Sequence, residues 1–282
     1  MLMLNKLTCS CVIFIGLLTL FSLSANGYVL KGQHVIDLML KKNHLPTRFF
    51  IDQSLTVYNS GFFTSKTEYE QWVRYQLPEQ FRSDIESDDL KQIHVASGDD
   101  SLTIVDGSVV SESEIWADHY KDIFFYRSRE KLVKRLEVLG IDFSVTSLGR
   151  FEGIICYVIG TRYPDESVPQ LWVTKDTFRP LRWIFEISDS DDDMVPLEIF
   201  YKEWKKYHKS WYPSKIEFYQ GPQIIRSIAV HQIELNPSFS KTLFDINSLK
   251  TYYSPQKLQE VLPETGQSDI EKRIEDFKKI YE

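Results

Sequence analysis

The sequence predicts a mainly β protein, a curved antiparallel sheet that holds apolar material in its concavity. Three observations carry this. Short runs of alternating apolar and polar residues recur between Arg48 and Leu235, the period of strands whose side chains point to opposite faces. Turn signals separate consecutive runs, which favours a meander over a βαβ sheet. Some runs, such as Ile154 to Ile159, are apolar on both faces, whereas a sheet with one wet face alternates more strictly. The enclosed material is the protein's own helices, a ligand, or both.

The first element is an export signal. Lys6 precedes an uncharged run from Leu7 to Ala25, and small residues follow at Ser24, Ala25 and Gly27. That order predicts a signal peptide over residues 1–27, cleaved after Gly27, with Ser24 and Ala25 as alternative sites. An uncleaved inner-membrane anchor is the alternative, since the run is just long enough to span a bilayer. Cys9 and Cys11 precede the core of the run, the wrong place for a lipidated cysteine. Cleavage leaves Cys156 without an intramolecular partner, and its apolar surroundings predict a buried small hydrophobe.

A helix comes next, with Val35, Leu38 and Met39 on one face, Ile36 nearby, and Asn43 and Pro46 at its end. Strands are then predicted over 48–59, 69–77, 79–87, 91–97 and 101–106. A helical interlude spans about Trp116 to Leu139. Ser128 caps its second half, Leu132, Leu136 and Leu139 share a face, and Gly140 stops it. Strands resume over 141–148, 151–162, 168–175, 180–189, 196–208, 212–220 and 223–235. Turns are predicted at Gly98 to Asp100, Asp106-Gly107, Gly149-Arg150, Pro164-Asp165, Asp176 to Arg179 and Gly221-Pro222. In 180–189, Leu181, Trp183, Phe185 and Ile187 point one way. Strand 223–235 is less regular: Ile224, Ile228 and Val230 oppose Ile225, Ala229, Ile233 and Leu235.

A short helix after Ser254-Pro255 is predicted to run to about Leu262. A longer one follows, with the capping-box pair Ser268 and Glu271 and a stripe of Ile270, Ile274, Phe277 and Tyr281. The stripe is expected to dock on the protein; a partner-binding tail is the alternative. The domain reading is a leader over 1–27, one sheet domain over 28–250, and a C-terminal helical extension over 251–282.

Composition and motifs exclude more than they assign. With 33 basic and 40 acidic residues the net charge is -7, against a phosphate-neutralising groove and hence against nucleic acid. No GxSxG, HExxH, P-loop, GxGxxG or CxxC occurs, and no two of the six histidines have a metal-ligand spacing on a predicted element. The run Asp189-Ser190-Asp191-Asp192-Asp193 fails as an EF-hand loop, because Met194 and Phe200 stand where glycine and glutamate are needed. It reads as a solvated turn. Lys202, Lys205, Lys206 and Lys209, interleaved with Tyr201, Trp204 and Tyr207, read as a solvated strand end, with an anionic membrane surface as the sharper alternative. Trp72, Tyr75, Trp116, Tyr120, Phe124, Phe125, Tyr126, Trp172, Trp183, Trp204 and Trp211 read as core aromatics before sugar or acyl contacts. No catalytic, cofactor or metal residue is assigned, no cofactor is expected, and the ligand-binding residues stay unassigned. An enzyme would need two carboxylates or a His–acid pair facing the concavity.

One stretch carries a family resemblance. Gln170-Leu-Trp-Val-Thr-Lys-Asp-Thr-Phe-Arg-Pro-Leu-Arg-Trp183 is similar to the LWVD strand, turn and xRPLR strand of the outer-membrane lipoprotein-sorting group, which includes the periplasmic lipoprotein localisation carriers. Lys175 stands where that group commonly has an acid. Leu197 to Tyr201 with Trp211 to Ile216, and Ile228 to Asn236 before Phe244-Asp245, resemble the hairpin and strand that follow. The resemblance covers roughly residues 28 to 250. It implies an incomplete β-barrel with helices lining or plugging its mouth. It also implies a non-enzymatic periplasmic carrier whose apolar cavity shelters acyl chains of lipids or lipoproteins for transfer toward the outer membrane, with protein partners at the inner and outer membranes. The alternative is an envelope interaction or stress-sensing module that recognises a lipidated or misfolded partner. An envelope lipid or glycan enzyme comes third.

Overall fold

The computed structural model describes residues 29–59, 65–188 and 194–253. The leader expected over residues 1–27, the acidic run and the C-terminal helices expected beyond Ser254 lie outside these residues. Among the described residues thirteen strands form one antiparallel sheet. They are β1 (Arg48–Asn59), β2 (Ser65–Gln76), β3 (Gln80–Glu86), β4 (Lys91–Ser97), β5 (Asp100–Val105), β6 (Ser108–Ser111), β7 (Thr146–Phe151), β8 (Ile154–Ile159), β9 (Gln170–Thr174), β10 (Pro180–Ser188), β11 (Met194–Tyr207), β12 (Ser210–Gln220) and β13 (Gln223–Leu235). Their spatial order is β6-β5-β4-β3-β2-β1-β13-β12-β11-β10-β9-β8-β7. The first and last strands of the described chain, β1 and β13, are neighbours at the centre, and the edges β6 and β7 do not pair. The result is an open, curved sheet.

This topology makes one long crossing necessary. The chain leaves the edge at β6 and re-enters at β7, the opposite edge. Residues 112–145 make the passage over the inner face through a 3-10 turn (Trp116–Lys121), α2 (Asp122–Phe125) and α3 (Arg129–Val138). Ser128 caps α3 as predicted, its hydroxyl accepting from the Lys131 amide at 3.1 Å. Helix α1 (Gly32–Lys42) buries Val35, Ile36 and Met39 in the same core. A second 3-10 turn (Lys241–Phe244) leads to α4 (Ile246–Tyr252).

The irregular pattern of β13 has a physical cause. Asp52 pairs with Gln232 and Gln53 with Val230, leaving His231 as an extra residue; Phe218 pairs with Arg226 and Tyr219 with Ile224, leaving Ile225 extra. Each bulge resets the alternation. Ile225, Ile228, Val230, Ile233 and Leu235 therefore all join the main core, although simple alternation sets Ile228 and Val230 against the other three. A bulge between Pro180 and Arg182 likewise turns Leu181 away from Trp183 and Phe185, into an outer cluster with Cys156, Val158 and Trp172.

The β7–β8 region corrects the sequence reading. The turn is Glu152-Gly153, with φ of 47° and 84°, the left-handed pair of a tight hairpin. Gly149 lies within β7 opposite Cys156. A Cβ there would stand 2.8 Å from Tyr163 and 2.9 Å from Val158, so this glycine permits close packing and makes no turn. Residues 141–145 are not strand, β8 stops at Ile159, and Pro164-Asp165 sits in a longer loop. Strand β6 was not foreseen: it is four half-buried residues after the Asp106-Gly107 turn.

A plugged concavity as the candidate functional site

The inner face is built mainly from large apolar side chains. Phe49, Ile51 and Leu55 of β1, Val73 and Tyr75 of β2, and Phe81 and Ile85 of β3 form one wall. Trp183 and Phe185 of β10, Leu197, Ile199 and Tyr201 of β11, and Tyr212, Ile216 and Phe218 of β12 form the other. The crossing segment fills the space between. Its Phe124 ring lies 4.6 Å from Tyr212 and 5.8 Å from Tyr201, and Tyr120 meets Phe218 edge-on at 6.1 Å. The Tyr201 hydroxyl donates to the Tyr120 carbonyl at 3.2 Å. The concavity is thus occupied by the protein's own plug.

Beneath the plug runs a buried polar strip. Gln53 Nε2 donates to Gln71 Oε1 at 2.9 Å, and Gln71 Nε2 to Ser83 Oγ at 2.7 Å. His94 Nδ1 lies 2.8 Å from Thr103 Oγ1. The plug adds charge. Arg226 donates to the Ala117 carbonyl at 3.0 Å and approaches Asp118 at 3.8 Å; Lys121 contacts Asp122 at 3.2 Å, and Asp122 accepts from Arg135 at 2.7 Å. Glu114 completes the chain with ion pairs to Lys121 and Arg135. Burial disfavours charge on Lys121, but Asp122, Glu114 and Asp118 outweigh it and raise its pKa. Burial, aided by Arg135 and Lys121, lowers His119 to about 3; burial and Lys121 lower His94 to about 4 against the pull of Asp118. Both imidazoles are neutral at neutral pH.

His94 and Asp118 are a His–acid pair facing the concavity, 4.0 Å apart. They are sealed, with side chains 0% and 3% exposed, and their chemistry is that of a packed network. Among the described residues no group of three His, Cys, Asp or Glu is arranged to hold a metal ion. Cys156 is buried in the outer cluster, and burial pushes its thiol up to about 11.

The RPLR arginines brace the sheet. Arg179 lies 3.5 Å from the Trp211 ring centroid, and Arg182 sits among Phe151, Trp172 and Phe200 while pairing with Glu198 and Glu166. Of the basic run, Lys202 is tied to Glu217 at 2.6 Å, whereas Lys205, Lys206 and Lys209 are exposed at the β11–β12 tip. Trp183 is core, and Trp172 belongs to the outer cluster. Sequence reasoning missed Arg226, Asp118, Gln53 and Gln71, because an isolated polar residue in a strand does not declare which face it takes.

At the mouth, the β2–β3 turn (Pro78, Glu79) and Gly98 face Phe125, Tyr126 and Lys131 across a cleft of about 330 Å³, near the lower end of small-molecule sites. The Glu79–Lys131 ion pair bridges it.

The architecture is an unclosed antiparallel sheet with helices seated in its concavity. Two solved structures share it: a putative outer membrane lipoprotein-sorting protein domain from Vibrio parahaemolyticus and a LolA superfamily protein from Nitrosomonas europaea. Each superposes with a TM-score of 0.52 at 12% identity, covering 78% of this chain and 98% and 99% of its own. No family model and no curated protein sequence matches the chain.

Proposed function

We propose that this chain is a non-enzymatic binding protein of the cell envelope, a periplasmic carrier that shelters acyl chains of a lipid or lipoprotein in its concavity. The observation that carries the reading is the filling of an apolar inner face by a separate crossing segment. Phe124 and Tyr120 occupy with protein the space an acyl chain would take. Each buried methylene contributes about 0.8 kcal/mol, so a long chain can compete with two aromatic rings once the plug withdraws. Uptake then exchanges self-packing for cargo packing. The charged network gives the plug a definite closed position, and the cleft beside Glu79 and Lys131 is the natural place for opening to begin. Leader-like residues 1–27 support an envelope location, and membrane proteins at donor and acceptor sides would give direction.

Native mass spectrometry of the chain purified from its own envelope, with solvent extraction of whatever accompanies it, tests this. Phospholipid or an acylated polypeptide near one-to-one is expected. A clean unliganded mass that persists after incubation with lipid and lipopeptide would sink the carrier reading.

A further inference from the structure

The sheet brings three turns of its β7–β12 half to one end. Phe151 pairs with Ile154 at the β7–β8 tip, Cys156 pairs with Thr174 at the end of β9, Val173 pairs with Pro180 at the start of β10, and Tyr207 pairs with Ser210 at the β11–β12 tip. This is also the end where α3 meets the β2–β3 turn through Lys131 and Glu79. The tips touch in sequence. The Lys175 amide donates to the Ile155 carbonyl at 2.9 Å, and Arg179, four residues on, stacks against Trp211 at 3.5 Å.

Two features of this rim are out of keeping with the chain. Ile154 and Ile155 are 44% and 41% exposed, a β-branched pair left in water beside a hairpin turn. Lys205, Lys206 and Lys209 are exposed together on the β11–β12 tip, beyond the intervening β9–β10 turn, in a protein whose net charge is -7. Behind them lie half-buried Trp204, Tyr207 and Trp211. Cations at the tip, amphipathic rings behind them and an apolar wedge alongside are the elements of a bilayer-interface contact: the lysines meet lipid phosphates, the rings sit at headgroup level, and the isoleucines enter the acyl boundary. An acidic protein would satisfy the lysines and leave the isoleucines unexplained.

We propose that this rim docks on the surface of an anionic phospholipid bilayer, presenting the mouth end of the sheet to the membrane. The surface stands apart from the cargo reading, since it needs nothing to enter the concavity.

The test is sedimentation of the chain lacking residues 1–27 with vesicles of equimolar phosphatidylcholine and phosphatidylglycerol, and with phosphatidylcholine alone. Omitting the leader removes an unrelated apolar segment, and the described fold begins at Val29. Selective binding to the anionic vesicles, weakened by added salt, is expected. Lys205→Gln/Lys206→Gln/Lys209→Gln should lower partitioning by about 100-fold, at roughly fivefold per lysine near an anionic surface. Ile154→Ser/Ile155→Ser should lower it by about tenfold. Lys66→Glu/Lys91→Glu, at the opposite end of the sheet, should change it less than about twofold. Absence of wild-type binding, or an equal loss in the opposite-end control, overturns the proposal. Because bound lipid is not read, a failed cargo experiment leaves this result standing, and the converse holds.

Discussion

Arg226 of β13 donates from Nη1 to the carbonyl oxygen of Ala117 at 3.0 Å, so a charged strand residue holds the backbone of the plug where it crosses the sheet. Its guanidinium also lies over Phe218 at 5.2 Å and faces Asp118. Arg226→Leu leaves the Asp118 carboxylate buried without its neighbouring charge, which costs about 3–5 kcal/mol. Arg226→Leu with Asp118→Leu should recover most of that, because an apolar pair needs no solvation. Urea unfolding of the single and double variants checks this; a double variant no more stable than Arg226→Leu would show that the charge pair is not what anchors the plug.

The two buried imidazoles set a pH dependence. In the folded chain His94 and His119 are held at about 4 and 3, while in the unfolded chain they protonate near 6.5. Below 6.5 the unfolded state takes up protons that the fold refuses. Stability is therefore full above about pH 6.5 and falls as pH drops through 6 and 5 toward 4. The loss is on the order of 3 kcal/mol for His94. His94→Asn, which cannot titrate, should flatten the fall in urea midpoint between pH 7 and pH 5. An unchanged slope would mean His94 is not kept neutral.

Much of this architecture was legible, and the failures have local causes. Strand 223–235 was placed correctly while its faces were not, because bulges at Ile225 and His231 break the period that sequence reading relies on. Gly149 imitated a turn residue because close packing and left-handed turns select the same side chain. The aromatic walls were visible as composition. The strip of Gln53, Gln71, His94 and Arg226 was invisible, since its members come from four strands and acquire a common face only through register.

Gly160 is expected to resist substitution. Its φ is 113°, and a Cβ would stand 2.5 Å from the Pro169 carbonyl oxygen. The obstacle is backbone, which cannot swing aside. Gly160→Ala should lose about 1–3 kcal/mol or more from strain at this position, read as a lower thermal midpoint. Gly98→Ala, with open space around its Cβ, should cost less; equal costs would refute the steric account.

Arg182 tests whether the RPLR motif braces the sheet. Its guanidinium reaches Glu198 and Glu166 at 2.7 and 2.8 Å while three aromatic rings surround it. Lysine keeps the charge but loses the planar fork that spans both carboxylates. Arg182→Lys should cost about 1–3 kcal/mol and leave the proposed acyl-chain binding per folded molecule unchanged, checked by titration at equal folded concentration. Lost binding in a fully folded variant would assign Arg182 to the site.

Phe124 separates a plug from a core residue. Its ring packs against Tyr212, Tyr201 and Trp204, so Phe124→Ala should lose about 3–5 kcal/mol, as for any large buried aromatic. If the ring holds the place of an acyl chain, the same truncation weakens only the closed state. Affinity for a fluorescent fatty acid should then rise in the folded variant, because less self-packing is surrendered when cargo enters. Phe49→Ala supplies the contrast: that ring stacks on Tyr75 at 4.3 Å within the sheet wall, and its loss should lower stability without raising affinity. If both variants lose affinity alike, the crossing segment is permanent core and the cargo must bind elsewhere.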